Sequence, residues 1–359
     1  MRWPLLPAAA LLATALIARG EAAAPKAPAW DQAAAARYLD ARLAWWRAWP
    51  KAQRDHGTAC VSCHTALPHA LSRPTLRAAQ PQRSPAELAM FDDVTERVWL
   101  WREVEPFYPD QTRGIPKSSE SRAVEAVLNA LILSTRDAER GVLGPDTRQA
   151  FANMWAQQMQ FGDQKGGFPW LNFKLEPWEA PNATIWGATL ASLAVARAPG
   201  YMPDPAALEA LRAYLRGGLG GSLHNRALIL WADSQIHGIL APTQRQQVIA
   251  ELSAAQGADG GWSLPALAPW QRIDGSTLPS ASDGYATAII ALALREAGME
   301  TKAPVLARAR LWMISHQDKA TGALPARSIN KDRQSGTDAY PFMSDQATGL
   351  ASLALRPGG

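Results

Sequence analysis

Two hydrophobic patterns alternate along the chain. From Tyr38 to Trp49, Leu39, Leu43 and Trp46 recur at i, i+4 and i+7 with arginines on the other face, which predicts an amphipathic helix. Residues 186–194, 285–293 and 346–354 instead share an Ala-Thr followed by a run of small residues and leucine or isoleucine that is apolar nearly all round. A helix without a polar face has to be buried on every side. Each run follows polar capping candidates: Asn182 or Thr184, Ser282 with Asp283, and Ser344 with Asp345. Such self-similarity signals an array of helical hairpins, with amphipathic outer helices alternating with buried inner ones. The pattern pairs 34–49 with 65–80, 84–105 with 119–135, 145–160 with 183–197, 205–217 with 222–238, 244–256 with 282–297, and 303–317 with 344–355. Alanine and leucine dominate and β-branched runs are scarce, so the predicted fold class is all-α.

The connections repeat as well. Gln256-Gly257-Ala258-Asp259-Gly260-Gly261-Trp262 and Gln164-Lys165-Gly166-Gly167-Phe168-Pro169-Trp170 each follow an outer helix, and Gln317 to Leu324 is a third copy with Leu324 where the others have tryptophan. The glycines allow a tight turn, the glutamine can bond free backbone groups, and the indole can pack over the turn. These segments resemble the Gln–Trp repeats of squalene–hopene cyclases and related terpenoid cyclases. The resemblance spans most of residues 25–359 and implies a single (α/α)6 toroid. It does not carry over the acid: the Asp-x-Asp-Asp motif with which those cyclases protonate their substrate is missing. Asp92-Asp93-Val94-Thr95-Glu96 resembles, in one imperfect copy, the Asp-rich diphosphate motif of ionising terpene synthases, but first-turn acids are ordinarily solvated.

The two cysteines of the 359-residue chain lie in Cys60-Val61-Ser62-Cys63-His64. This spacing reads as covalent attachment of one c-type haem, with the thiols adding to two vinyl groups and His64 as the proximal iron ligand. A structural zinc or iron–sulfur site would need further ligands that no second cluster supplies. A disulfide stays open as an alternative, although the thioredoxin-type context of a βαβ unit is missing. The motif falls in the first hairpin turn, at the rim where inner helices begin. The longest connections, 163–181, 257–281 and 318–343, leave from that face too. If the ring closes, Met343 comes near the haem edge as a candidate sixth ligand, against simple packing under the loop. His56 and His69 are expected as loop or propionate contacts, and His224 and His316 as surface or capping residues. Asp283, Asp345, Glu120 and Glu125 are expected as first-turn capping and dipole-compensating acids. The whole resembles a bacterial protein combining a squalene-cyclase-like toroid with a c-type cytochrome motif.

Residues 1–24 carry Arg2, an apolar run from Leu5 to Ala18 and small residues from Gly20 to Ala24, the pattern of a cleaved export leader. The run is too short for the roughly 20 residues of a membrane span. A periplasmic or secreted protein without a transmembrane anchor is expected. Its formal charge of +4 drops by one when Arg2, Glu21 and Arg19 leave. No basic stripe points to nucleic acid. Asn182-Ala183-Thr184 fits a glycosylation sequon, and the 15 tryptophans are expected as core and turn packing. The activity these features imply is haem-mediated electron transfer with a redox partner protein. The alternatives are a haem oxidoreductase acting on an apolar, terpenoid-like molecule in the cavity, and a redox-neutral cyclase.

Overall fold

Twelve helices of 11 to 24 residues alternate between half-exposed and almost wholly buried sequences in the computed structural model, which describes Met1 and residues 29–357. The expected leader lies, apart from Met1, outside the described residues. The helices are α1 (Gln32–Ala48), α2 (Ala66–Leu76), α3 (Pro85–Trp99), α4 (Lys117–Arg140), α5 (Pro145–Trp155), α6 (Thr184–Arg197), α7 (Pro205–Gly217), α8 (Leu223–Ile236), α9 (Pro242–Ala254), α10 (Gly284–Glu296), α11 (Pro304–His316) and α12 (Phe342–Ala354). Among the described residues there is no strand, only isolated bridges such as Gln53 with Ala59, so the chain is all-α.

The even-numbered helices are the inner ones. Residues Ile185 to Val195 of α6 and Gly284 to Arg295 of α10 are buried without interruption, as their lack of a polar face requires. Helix α2 packs on α4, α4 on α6, α6 on α8, α8 on α10, α10 on α12, and α12 back on α2, so the order of packing closes on itself. The odd-numbered helices lie against this inner set. The expected pairing of outer with following inner helix holds for α1 with α2 and for α3 with α4. From α5 onward it is corrected: α5, α7, α9 and α11 pack chiefly on the inner helix before them. The reason is connection length, since 141–144, 198–204, 237–241 and 297–303 are short and make antiparallel neighbours, while most outer-to-inner connections are long.

Helix boundaries follow the sequence pattern to within about five residues, with α4 running on to Arg140 and α5 stopping at Trp155, and the largest departure is at α3, expected to reach 105. It stops at Trp99 because the chain turns back so that the Glu105 carbonyl can accept from Arg97 Nη2 at 2.7 Å and the Glu105 N–H can reach Asp55 at 2.6 Å.

The repeated turns explain the repeated helices. Gln256 Nε2 donates to the Gly260 carbonyl at 2.8 Å and to the Val305 carbonyl, at the start of the next outer helix, at 2.9 Å. Gln317 does the same for Gly322 and Asp31, both at 3.0 Å, and also accepts from the Asp31 N–H at 2.8 Å. The last outer helix is thereby tied to the first. In the remaining copy the glutamine is Gln158, which reaches Gly166 and Ala207 at 3.0 and 2.9 Å, not the expected Gln164; the intervening residues form a longer loop. Gly322 has φ +83, and a Cβ there would lie 2.4 Å from the Ala34 backbone, so only glycine lets the turn sit against α1. The threonine of the Ala-Thr repeat holds the turn from beneath: Thr287 accepts from the Trp262 N–H at 3.0 Å, and Thr348 from the Leu324 N–H at 2.8 Å.

Candidate functional site

The loop between α1 and α2 carries Cys60 and Cys63, and it is fixed at several points. Trp46 Nε1 donates to the Cys60 carbonyl at 2.6 Å, the Cys60 N–H to Ala52 at 2.8 Å, and the Ala59 N–H to Asp93 Oδ2 at 3.0 Å. Asp93 also pairs with Arg47, so this member of the Asp-rich stretch is a brace for the loop. Ser62 Oγ accepts from the N–H groups of Thr65 and Ala66, at 3.1 and 3.0 Å, and so opens α2 directly behind the motif. Deeper in, Arg97 donates to Glu125 at 2.6 and 3.2 Å, to Asp55 at 2.7 Å and to Thr58 at 3.1 Å. Glu125 is therefore the buried partner of a loop-holding arginine, in place of the capping acid expected from its position. Glu120 does stay at its helix start, bonded to Lys117 at 2.6 Å and to the Asn172 N–H at 3.1 Å.

Both thiols are free of a disulfide and buried, with 8% and 6% of their residue surface exposed. Burial pushes the Cys60 thiol up to about 12 and raises Cys63 well above its ordinary value. Thiols held this way are poor nucleophiles and poor thiolate donors, which speaks against a catalytic cysteine. Around Cys60 stand Trp46, Ala52 and Phe107, with Trp49, Tyr108 and Phe342 packed against them.

His64 is half-buried, its ring stacked on Phe342 at 3.7 Å between centroids and met edge-on by Trp46 at 4.8 Å. Its Nδ1 lies 2.9 Å from Thr65 Oγ1, and the Thr65 hydroxyl donates to Asp345 Oδ2 at 2.7 Å. A hydroxyl has one proton, so the Thr65 oxygen accepts at Nδ1. His64 is consequently the Nδ1–H tautomer with its Nε2 lone pair free, the form an axial ligand takes. Burial, with Arg42 and Arg333 adding to it, pushes the imidazole down to about 3, so it is neutral.

Asp345 also accepts from Tyr38 at 2.6 Å and from Arg42 Nε at 2.8 and 3.0 Å. It lies in the first turn of α12 as expected but does not cap it: α12 starts at Phe342 after Pro341, without a side-chain cap from Ser344 or Asp345. Asn182 and Thr184 likewise make no cap for α6, whereas Asp283 does cap α10, accepting from the Tyr285 N–H at 2.9 Å.

A cavity of about 130 Å³ is lined by Cys63, His64, Trp178, Glu179, Arg333, Phe342 and Met343. The structure thus brings Met343, buried in α12, to the wall that holds His64. The connections 163–181 and 318–343 supply other parts of this wall, and Ile273 of 257–281 donates its N–H to Asn330 at 2.9 Å, so the three long loops do meet. Glu179, which the sequence did not single out, is pushed up to about 7 by burial alone. A second, more open cavity of about 590 Å³ lies beside Trp46, Trp49, Phe107 and Tyr108, with Lys51, Arg54 and Arg113 on its walls.

The other histidines divide. His56 is an exposed loop residue with φ +55, and His316 stacks on Trp312 at the end of α11, both as expected. His69 is not a loop or propionate contact: it is buried in α2, with Nε2 2.8 Å from Asp40. His224 is not a surface residue: it is buried in α8, with Nε2 2.8 Å from the Tyr285 hydroxyl. Asp40, His69 and Glu87 lie close enough to hold a metal, but Arg73 already pairs with Asp40, and Arg77 with Glu87, which makes the cluster an ion-pair network. No protein-family model matches the chain, and no curated protein is similar enough to be matched with it.

Proposed function

We propose that this chain is an exported c-type haem protein that transfers electrons, with one haem joined through Cys60 and Cys63 and its iron held by His64. The observation that carries the reading is the donor set: two unbridged thiols at the attachment spacing, followed by a neutral imidazole whose Nδ1–H is engaged and whose Nε2 is free. When bound, the haem would supply a one-electron ferric–ferrous couple. The residues around it suit that role. Trp46, Trp49, Phe107, Tyr108, Trp178 and Phe342 give apolar ring surfaces that exclude water. Lys51, Arg54 and Arg113 offer cations for propionates. Met343, on the same cavity wall as His64, is the candidate for the sixth position, where a thioether raises the potential. The closed order of inner-helix packing supports an (α/α)6 toroid of the terpenoid-cyclase kind as the scaffold, with a redox partner protein docking on it. No described helix is long and apolar enough to cross a membrane, which fits a periplasmic or secreted protein anchored by nothing once the leader is cleaved.

Expression with export and haem-maturation factors, followed by intact mass and an absorption spectrum, tests this. One haem added per chain, lost in Cys60→Ala/Cys63→Ala, is expected; a colourless chain with the two sulfurs joined to each other refutes it. A second reading, a haem oxidoreductase on an apolar substrate, draws on a cavity of about 490 Å³ walled by Tyr38, Trp312, Pro325 and Tyr340. High-spin iron that binds carbon monoxide would favour it, and low-spin iron indifferent to carbon monoxide would favour electron transfer.

A further inference from the structure

We infer that Thr65 and Asp345 are positioning residues that fix the tautomer of His64 and set how strongly it donates to the iron. The inference rests on the haem reading and adds to it the chain's own means of tuning the couple. Thr65 is buried behind the motif, and its single hydroxyl proton is committed to Asp345 Oδ2 at 2.7 Å. Its oxygen can then only accept from His64 Nδ1, at 2.9 Å. Asp345 is fully buried in the first turn of α12 and keeps its carboxylate oriented through Tyr38 and Arg42, both on α1. A carboxylate one hydroxyl away draws the Nδ1 proton outward. That shifts electron density toward Nε2, makes the imidazole a stronger donor and favours the ferric state. If these groups served only to join α1 to α12, their removal would lower stability and leave the couple where it was.

The test compares the haem-loaded wild type with Thr65→Val, Thr65→Ser and Asp345→Asn. At a fixed ambient potential, Thr65→Val and Asp345→Asn should each raise the ferrous-to-ferric ratio at least threefold, about 28 mV at 59 mV per tenfold for one electron. Thr65→Ser, which keeps the hydroxyl, should restore the wild-type ratio. Unchanged ratios in Thr65→Val and Asp345→Asn overturn the inference; should Asp345→Asn not fold, the valine and serine pair carries the same comparison. A separate arm uses the haem-free chain: nitrogen-15 NMR of His64 should show the Nδ1–H tautomer in wild type and a mixture with Nε2–H in Thr65→Val. A wild-type Nε2–H tautomer overturns the inference whether or not haem binds. A wild type that takes up no haem refutes the haem reading, and the tautomer measurement still decides the role of Thr65.

Discussion

Replacing Arg97 by methionine probes the deepest support of the candidate site. Arg97 and Glu125 both have fully buried side chains, and the guanidinium also holds Asp55, Thr58 and the Glu105 carbonyl. Arg97→Met leaves the Glu125 carboxylate without its cation in the interior, a situation that costs about 3–5 kcal/mol. Burial raises the Glu125 carboxyl and Arg97 pulls it down, so removing the arginine raises it further. Glu125→Leu alone leaves Arg97 one remaining acid, the partly exposed Asp55, and should cost less. In the double variant the unpaired charge is gone, while the loop around Thr58 still lacks its donor. The two changes should therefore be non-additive by about 2 kcal/mol or more, with a residual loss of about 1–2 kcal/mol from the missing hydrogen bonds. Urea unfolding followed by circular dichroism gives all four corners of the cycle. Additive losses, or an Arg97→Met loss under about 1 kcal/mol, would refute the claim that this pair carries the loop.

Other outcomes follow from the same geometry. Gly322→Ala adds both a strained φ of +83 and a clash with the Ala34 backbone, whereas Gly336→Ala, with φ +89 and open space, adds only the strain; the first should lower the melting temperature clearly more than the second, whose cost is about 1–2 kcal/mol. His224 is pushed down to about 4 by burial, so it is neutral when folded and charged when unfolded between that value and about 6.5. The unfolded state then binds the extra proton, so this contribution, about 3 kcal/mol, is complete above pH 6.5 and lost as the pH falls toward 4. His224→Asn should flatten the drop in urea midpoint between pH 7 and 4.5, and an equal drop in both proteins would count against it. Trp262→Phe leaves the Leu252 carbonyl without its 2.8 Å donor and should destabilise by about 1–3 kcal/mol in the same urea assay.

The helices were legible because their period and their lack of polar faces are local properties, and the Gln–Gly–Trp turns because their residues are close in sequence. What the sequence hid depends on distance. Gln158 does the work expected of Gln164 because the longer loop 159–165 moves the glutamine away from its glycines. Asp345 reads as a cap in isolation; its role comes from Tyr38 and Arg42, more than 300 residues away. His69 reads as a loop or propionate contact and His224 as a surface or capping residue because nothing nearby reveals that Asp40 and Tyr285 wait for them in the interior. Thr65, beside the motif, was in plain view, but its meaning requires knowing where its proton goes.

Phe342, which lies flat on the ring of His64, opens α12, the last of the twelve described helices. Until that segment docks, the pocket around the sulfurs has no lid. A haem of the kind proposed would have to be joined while the chain is still open, so its attachment would compete with the docking of residues 342–354.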